Sequence, residues 1–250
     1  TTALGFVAGF TGKAIEDGLA AQGIHTDFIH LPEGNSRINV KVKHGDETEI
    51  NGQGPVITEE AINELFAKLD TLTKEDILVL AGSIPNTLPE DIYEKILASL
   101  ESKGIRVVVD ATKDLLLNVL KYHPFLIKPN NHELGEMFGT VCKTDEDIVH
   151  YAKKLQEKGA VNVLISMAGD GAILITEDGQ NIKMGTPKGK VVNSVGAGDS
   201  MVAGFITGYI RGGNYEEALK SGTAAGSATA FSEGLASLEM YEKMLKQITE

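Results

Sequence analysis

Apolar positions fall into two rhythms along this chain. Short runs rich in Val, Ile and Leu, at 77–81, 107–109, 125–127 and 163–165, read as strands. Between and before them, apolar residues recur at helical spacing over 61–69, 90–100, 113–120 and 145–158. The strands are apolar on both faces, as strands buried in a parallel sheet must be. Alternation of this kind folds as right-handed βαβ units, so the pattern predicts an α/β protein with a mostly parallel central sheet between layers of helices. A further strand is expected at 172–176. The last third reads as helices over 197–210, 215–230 and 238–248.

Residues 36–43 break the pattern. Here the period is two, which sends Ile38, Val40 and Val42 to one face and Arg37, Asn39 and Lys41 to the other. With residues 47–50 this forms a small antiparallel flap, spanning about 34–52 with its flanks. Lacking the helix of a βαβ unit, it is expected to stand off the main sheet and cover a site or pair with a second copy. An ordinary half-exposed edge strand gives the same alternation.

Composition narrows the function. A chain of 250 residues with 42% apolar content is expected to form one large domain with at most a small appendage. The 23 basic against 35 acidic residues give a net charge of −12, which argues against general nucleic-acid binding and against an anionic membrane surface. Any anionic ligand must be held by a local cluster. Cys142 is the sole cysteine, and the six histidines show no metal-type spacing. No apolar run approaches the roughly 20 residues of a membrane span, and the first residues carry no charged leader, so the cytoplasm is the expected location.

Ligands of open α/β sheets gather at the carboxyl ends of the strands. Several polar residues fall there: Gly82-Ser83, Asp110, Lys128-Pro129-Asn130 and Ser166. The most informative segment is Asn193-Ser194-Val195-Gly196-Ala197-Gly198-Asp199-Ser200, a glycine-rich turn at the mouth of a helix. Free N–H groups of the first turn can hold an anion, and Asp199 beside them is placed to accept a proton from a substrate hydroxyl. A plain glycine-rich connection with a first-turn acid explains the same residues.

Other segments are open in the same way. Asn130 and Glu133, three apart, suit a hydrated Mg2+ or a simple N-cap with Glu at N3. Ser166-Met167-Ala168-Gly169-Asp170-Gly171 suits a nucleotide phosphate or a tight turn. The small residues from Ala224 to Ala230 suit a purine slot or close helix packing. Asp110 is functional or caps the helix at 113–120, and it is left outside the catalytic set. The segment from Gly5 to Gly12 lacks the spacing of either a dinucleotide or a P-loop fingerprint.

In this order, Ser36 to Lys41, Glu47 to Gly52, Ala81-Gly82-Ser83-Ile84-Pro85, Lys128 to Leu134 and Asn193 to Ser200 resemble the PfkB (ribokinase-like) family of sugar kinases. The likeness runs over nearly the whole chain, and the ordered set carries it. It implies a single ribokinase-like three-layer α/β/α domain over 1–250 with a β lid. It implies ATP-dependent phosphorylation of fructose 1-phosphate at the 6-hydroxyl, with Asp199 as general base and the amides of Gly196, Ala197 and Gly198 as the anion hole. Asn130 and Glu133 would organise Mg2+ through water. Lys128, Ser166, Gly169 and Gly171 would lie beside the ATP phosphates, and Gly226, Ser227 and Ser232 near adenine. Arg37, Asn39 and Lys41 would meet the sugar's phosphate, and Gly82 and Ser83 the sugar.

The flap would join two copies as a homodimer. Tagatose 6-phosphate and fructose 6-phosphate are alternative acceptors, and a non-catalytic sugar-phosphate or nucleotide-binding regulator is the alternative of another class. Family members begin with a further stretch that holds a first strand, an aspartate for the sugar hydroxyls and a Gly-Gly-Lys-Gly-x-Asn motif. Residue 1 falls after it, so either the sequence is incomplete at its N terminus or it lacks half of the sugar site, and the implied activity belongs to the intact protein. Asn193-Ser194 stands where many relatives have Asp-Thr, which weakens the expectation of a monovalent-cation site. Ala168 stands where many have glycine.

Overall fold

The computed structural model describes residues 1–44, 46–82 and 84–249, without the side chains of 41, 43–44, 46–49 and 249. The chain divides into two compact units, Thr1–Asp76 with Ser83–Ile105, and Ile77–Gly82 with Arg106–Glu250.

In the first unit, β1 (Thr2–Ala3) pairs in parallel with β3 (His25–Thr26), and β2 (Phe6–Ala8) with β4 (Ile29–Leu31). Helix α1 (Gly9–Ala21) follows β2 directly. A distant loop caps it: Phe10 N donates to Asn35 Oδ1 at 3.2 Å, and Thr11 Oγ1 donates to the Ser36 carbonyl at 2.8 Å. Gly9 has φ +57°, and a Cβ there would lie 2.1 Å from Asn35 Oδ1, so only glycine permits this cap. The predicted flap is β5 (Asn39–His44) with β6 (Asp46–Asn51), an antiparallel pair whose register sets Val40 opposite Ile50. Among the described residues these two strands pair with no others. Helix α2 (Glu59–Asp70) begins at Thr58, whose hydroxyl accepts from Ala61 N, and α3 (Ile92–Leu100) buries Ile92, Ile96, Leu97 and Leu100.

The second unit holds the six-stranded sheet. Its strands are β7 (Ile77–Ala81), β8 (Arg106–Asp110), β9 (Leu126–Ile127), β10 (Asn162–Ser166), β11 (Ala172–Ile175) and β12 (Asn181–Met184), which lie side by side in sequence order. The first four are parallel; β11 and β12 return antiparallel. Its helices are α4 (Lys113–Val119), α5 (Asn131–Met137), α6 (Asp145–Glu157), α7 (Ala197–Gly212), α8 (Tyr215–Ala230) and α9 (Leu238–Thr249).

Side-chain alternation sorts the layers. Val108, Leu126, Leu164, Ala172 and Leu174 pack against Met201, Val202 and Phe205 of α7 and Ala218 and Leu219 of α8. The alternate set, Val109, Ile127, Val163, Ile165 and Ile173, is equally buried and faces the opposite layer, where α5 and α6 touch β10. The result is the α/β/α sandwich expected for strands apolar on both faces. Small residues let α7 and α8 meet closely: a Cβ at Gly204 would lie 2.5 Å from the Ser221 carbonyl.

Candidate active site

Three of the segments singled out at strand ends, Asp110, Lys128-Pro129-Asn130 and Ser166, meet in the second unit. Ile127 pairs with Val109, so the next residue of each strand, Lys128 and Asp110, emerge side by side. Lys128 Nζ lies 3.2 Å from Asp110 Oδ1, and the lysine side chain is only 8% exposed. Two residues further on, Asn130 bridges to Ser166 at the end of β10, and Ser166 N donates to the Pro129 carbonyl at 3.2 Å.

Helix α7 brings the glycine-rich turn to the same place. Gly196 is its N-cap at φ 78°, a conformation that favours glycine. The turn is tied to the end of α8. Val192 N and Asn193 N both donate to the Ala230 carbonyl, at 2.8 and 3.1 Å, and Ser200 Oγ lies 2.8 Å from Thr229 Oγ1. Ala197 N donates to the Ser194 carbonyl at 3.2 Å. The N–H groups of Gly196 and Gly198 meet no acceptor among the described residues, so two of the three expected amides are open to an anion. Asp199 is exposed in the first turn, with its acid near the positive end of the helix.

Lysine and turn are in contact. A Cβ on Gly198 would sit 3.1 Å from Lys128 Nζ. An ammonium group, open amides and a carboxylate therefore share one small region, which suits receipt of a phosphoryl group beside a proton acceptor. Burial raises the carboxyl pKa of Asp110 above the usual range, against the lowering effect of Lys128; the charges of Asp199 and Glu133 add to the rise. Asp110 thus belongs to this cluster, and the sequence reading left it out. Its position at a strand end was the available signal. The capping alternative does not hold, because the N-cap of α4 is Thr112.

Asn130 and Glu133 form a full capping box on α5. Asn130 Oδ1 accepts from His132 N at 2.9 Å and Glu133 N at 2.8 Å, and Glu133 Oε2 accepts from Asn130 N at 2.8 Å. Both acceptor sites of the amide oxygen are therefore occupied. Ser166 to Gly171 is the tight connection of the β10–β11 hairpin, with Met167 N donating to the Gly171 carbonyl at 2.8 Å. Gly171 is buried at φ 93°, and a Cβ there would strike the Met184 carbonyl. Gly169 is exposed with open space around it. Gly226 lies against the Ala197 carbonyl in the α7–α8 contact, Ser227 is buried in α8, and Ser232 Oγ donates to the Ala228 carbonyl at 2.8 Å. Helix packing and capping account for the positions of these three.

Gly82 follows β7 at φ 84°, exposed and with no neighbour in the way of a Cβ. Ser83 lies outside the described residues, as does the side chain of Lys41. Arg37 and Asn39 are exposed in the first unit, where Arg37 lines a cleft of about 490 Å3 together with Phe6, Ile15, Leu31, Gln53 and Ile57. No group of three or more His, Cys, Asp or Glu poised to hold a metal occurs among the described residues. No described helix is long and apolar enough to cross a membrane.

The pfkB family carbohydrate kinase model matches residues 1–240. The chain belongs to the PfkB family of carbohydrate kinases. A 1-phosphofructokinase of Bacillus subtilis (strain 168) is 50% identical over 246 residues, which are 98% of this chain and 80% of that protein. A D-tagatose-1-phosphate kinase of Bacillus licheniformis is 39% identical over 248 residues, 99% of this chain and 81% of that protein. A solved Staphylococcus aureus structure assigned to the phosphofructokinases superposes with a TM-score of 0.90 at 46% identity, covering 98% of this chain and 80% of that one. The PfkB assignment makes the protein a phosphotransferase that uses ATP, and it agrees with the sandwich and the turn before α7.

Proposed function

We propose that the protein transfers the γ-phosphoryl group of ATP to the 6-hydroxyl of fructose 1-phosphate, giving fructose 1,6-bisphosphate and ADP. The single observation that carries the substrate is the 50% identity, along almost the whole chain, to a 1-phosphofructokinase. The chemistry rests on the turn before α7. The Asp199 carboxylate takes the hydroxyl proton during in-line attack, while the open amides of Gly196 and Gly198 and the Lys128 ammonium meet the charge on the transferred group. Positioning and charge neutralisation do most of the work in such a transfer.

Mg2+ fits this donor set as an ion that keeps its own waters, because the carboxylates of Glu133 and Asp199 both lie near enough to act on Asp110 and offer the ion few oxygens. It would neutralise the β- and γ-phosphates. Glu133 offers an oxygen beyond its capping bond, and Asn130 acts by fixing Glu133, since its own carbonyl is occupied. Ser166 and Gly169 serve the phosphates, Gly226, Ser227 and Ser232 the adenine side, and Arg37, Asn39, Lys41, Gly82 and Ser83 the sugar phosphate. The flap face bearing Ile38 at 61%, Val40 at 46%, Val42 at 43% and Ile50 at 60% exposure supports pairing with a second copy. A monomeric mass in solution would contradict that pairing.

A second reading, D-tagatose 1-phosphate as acceptor, is favoured by the Bacillus licheniformis relative. The test is ADP release by the intact protein with Mg-ATP and fructose 1-phosphate, tagatose 1-phosphate, tagatose 6-phosphate or fructose 6-phosphate, compared as kcat/KM. The highest value with fructose 1-phosphate supports the assignment. A higher value with another sugar keeps the mechanism and moves the substrate, and nucleotide binding without ADP release from any of them favours a regulator.

A further inference from the structure

Asp110 is a buried carboxylate that the transfer just described does not use. It ends β8 in register with Lys128 after β9, so adjacent strands of the sheet aim the two side chains at one another. Their separation is 3.2 Å and both are largely buried, at 18% and 8% side-chain exposure. The same ammonium lies beside Gly198, 3.1 Å from where a Cβ would be. A lysine side chain has four rotatable bonds and loses much freedom when fixed, so an anchor is needed to hold Nζ at one place. A carboxylate on a rigid strand provides it.

We propose that Asp110 is a positioning residue: it holds the Lys128 ammonium against the Gly196–Gly198 turn, ready for the phosphoryl group. The inference rests on the kinase reading of that turn. Its effect passes through Lys128, which distinguishes it from a group that acts on its own. Freed of Asp110, the lysine turns to other rotamers and the open amides face the incoming charge without their cation.

The test is a double-mutant cycle on the intact protein with Asp110→Asn, Lys128→Met and the pair, read as kcat/KM for ATP and as Kd for a non-hydrolysable ATP analogue. Asp110→Asn alone is expected to lower kcat/KM by about tenfold to a hundredfold, the scale of a misplaced catalytic group. In the Lys128→Met background it is expected to cost less than about threefold, because nothing is left to position. The Mg2+ concentration for half-maximal rate is expected to stay within about twofold in Asp110→Asn.

Equal losses in both backgrounds overturn the proposal, and a large shift in the Mg2+ requirement with additive losses assigns Asp110 to the metal instead. Removal of one partner of a buried pair can unfold a protein. Asp110→Glu is therefore run beside it. It keeps the charge while moving it by one methylene, and it is expected to hold the melting temperature and still lower kcat/KM for ATP by about threefold or more. Unchanged kcat/KM in a folded Asp110→Glu also overturns the proposal. Complete loss of activity in Asp110→Asn as well as in Lys128→Met overturns the positioning role and leaves the kinase reading standing, whereas a parent without ADP release removes that reading first.

Discussion

Replacing Gly198 by alanine separates what the turn before α7 does for stability from what it does for catalysis. Gly198 lies within the first turn of α7 and is absent from the glycines with positive φ, so alanine meets no backbone strain. In a helix interior alanine is better than glycine by up to about 1 kcal/mol, less in a first turn, so the melting temperature should hold or rise slightly. The new methyl, however, would lie 3.1 Å from Lys128 Nζ and 3.6 Å from Cε, closer than ordinary contact, and the ammonium must retreat by a few tenths of an ångström. The ammonium is also paired with Asp110 at 3.2 Å, so its displacement alters that ion pair as well. Misplacement by about 1 Å can cost about a hundredfold in rate, so a few tenths should cost about threefold to tenfold in kcat/KM. Steady-state kinetics with ATP varied, beside thermal melting, reads both effects. Unchanged kcat/KM would refute the idea that the Lys128 ammonium works at this spot. A large fall in melting temperature would show that the methyl strikes something other than a movable lysine end.

Three other outcomes follow from the structure. Asp147 accepts from the backbone N–H groups of Lys143 and Thr144, which hold its carboxyl pKa below the usual range; its stabilising effect is present above the ordinary carboxylate pKa and lost as pH falls through the lowered value. Asp147→Asn should therefore lower the melting temperature at pH 7 and make no difference near pH 2, as followed by circular dichroism against pH. Burial and a 2.6 Å hydrogen bond to Glu177 push the Tyr215 hydroxyl pKa up, so this tyrosine favours folding below the ordinary tyrosine pKa and loses that effect as pH rises beyond it. Tyr215→Phe should cost about 1 kcal/mol in urea unfolding at pH 7 and leave kcat within error. Arg37→Ala should raise KM for the sugar phosphate by about tenfold or more with KM for ATP unchanged, the loss of one charged hydrogen bond to a phosphate, and equal changes in both KM values would remove Arg37 from the sugar side.

The central strands and the long helices were legible because their apolar runs are long enough for the strand or helix pattern to show locally. Strands 77–81 and 163–165 and the last three helices sit within a residue or two of their expected bounds, and the flap's period of two gave both its strands and its apolar face. Helix α1 was not legible. It starts inside a glycine-rich run, its cap comes from Asn35 and Ser36 far along the chain, and such a partner leaves no local signal. The short parallel pairs of β1 to β4 are two or three residues long, too brief for any period to show. At the candidate site, the glycine-rich turn at the mouth of α7, with Asp199 in the first turn, was legible from local spacing. Asp110 was not, because its role depends on the register of β8 with β9, which sequence spacing does not encode. The small residues of α8 were ambiguous between packing and a purine slot, and for Gly226 close packing on Ala197 explains the choice.

Catalysis turns on one carboxylate, and Asp199→Asn is the decisive substitution. The side chain is exposed in the first turn of α7, where asparagine fits the same space, so melting temperature and binding of a non-hydrolysable ATP analogue should be close to those of the parent. With Mg-ATP and saturating fructose 1-phosphate, kcat should fall by about a hundredfold or more, the contribution of a positioned general base. A kcat near that of the parent would take Asp199 out of the mechanism.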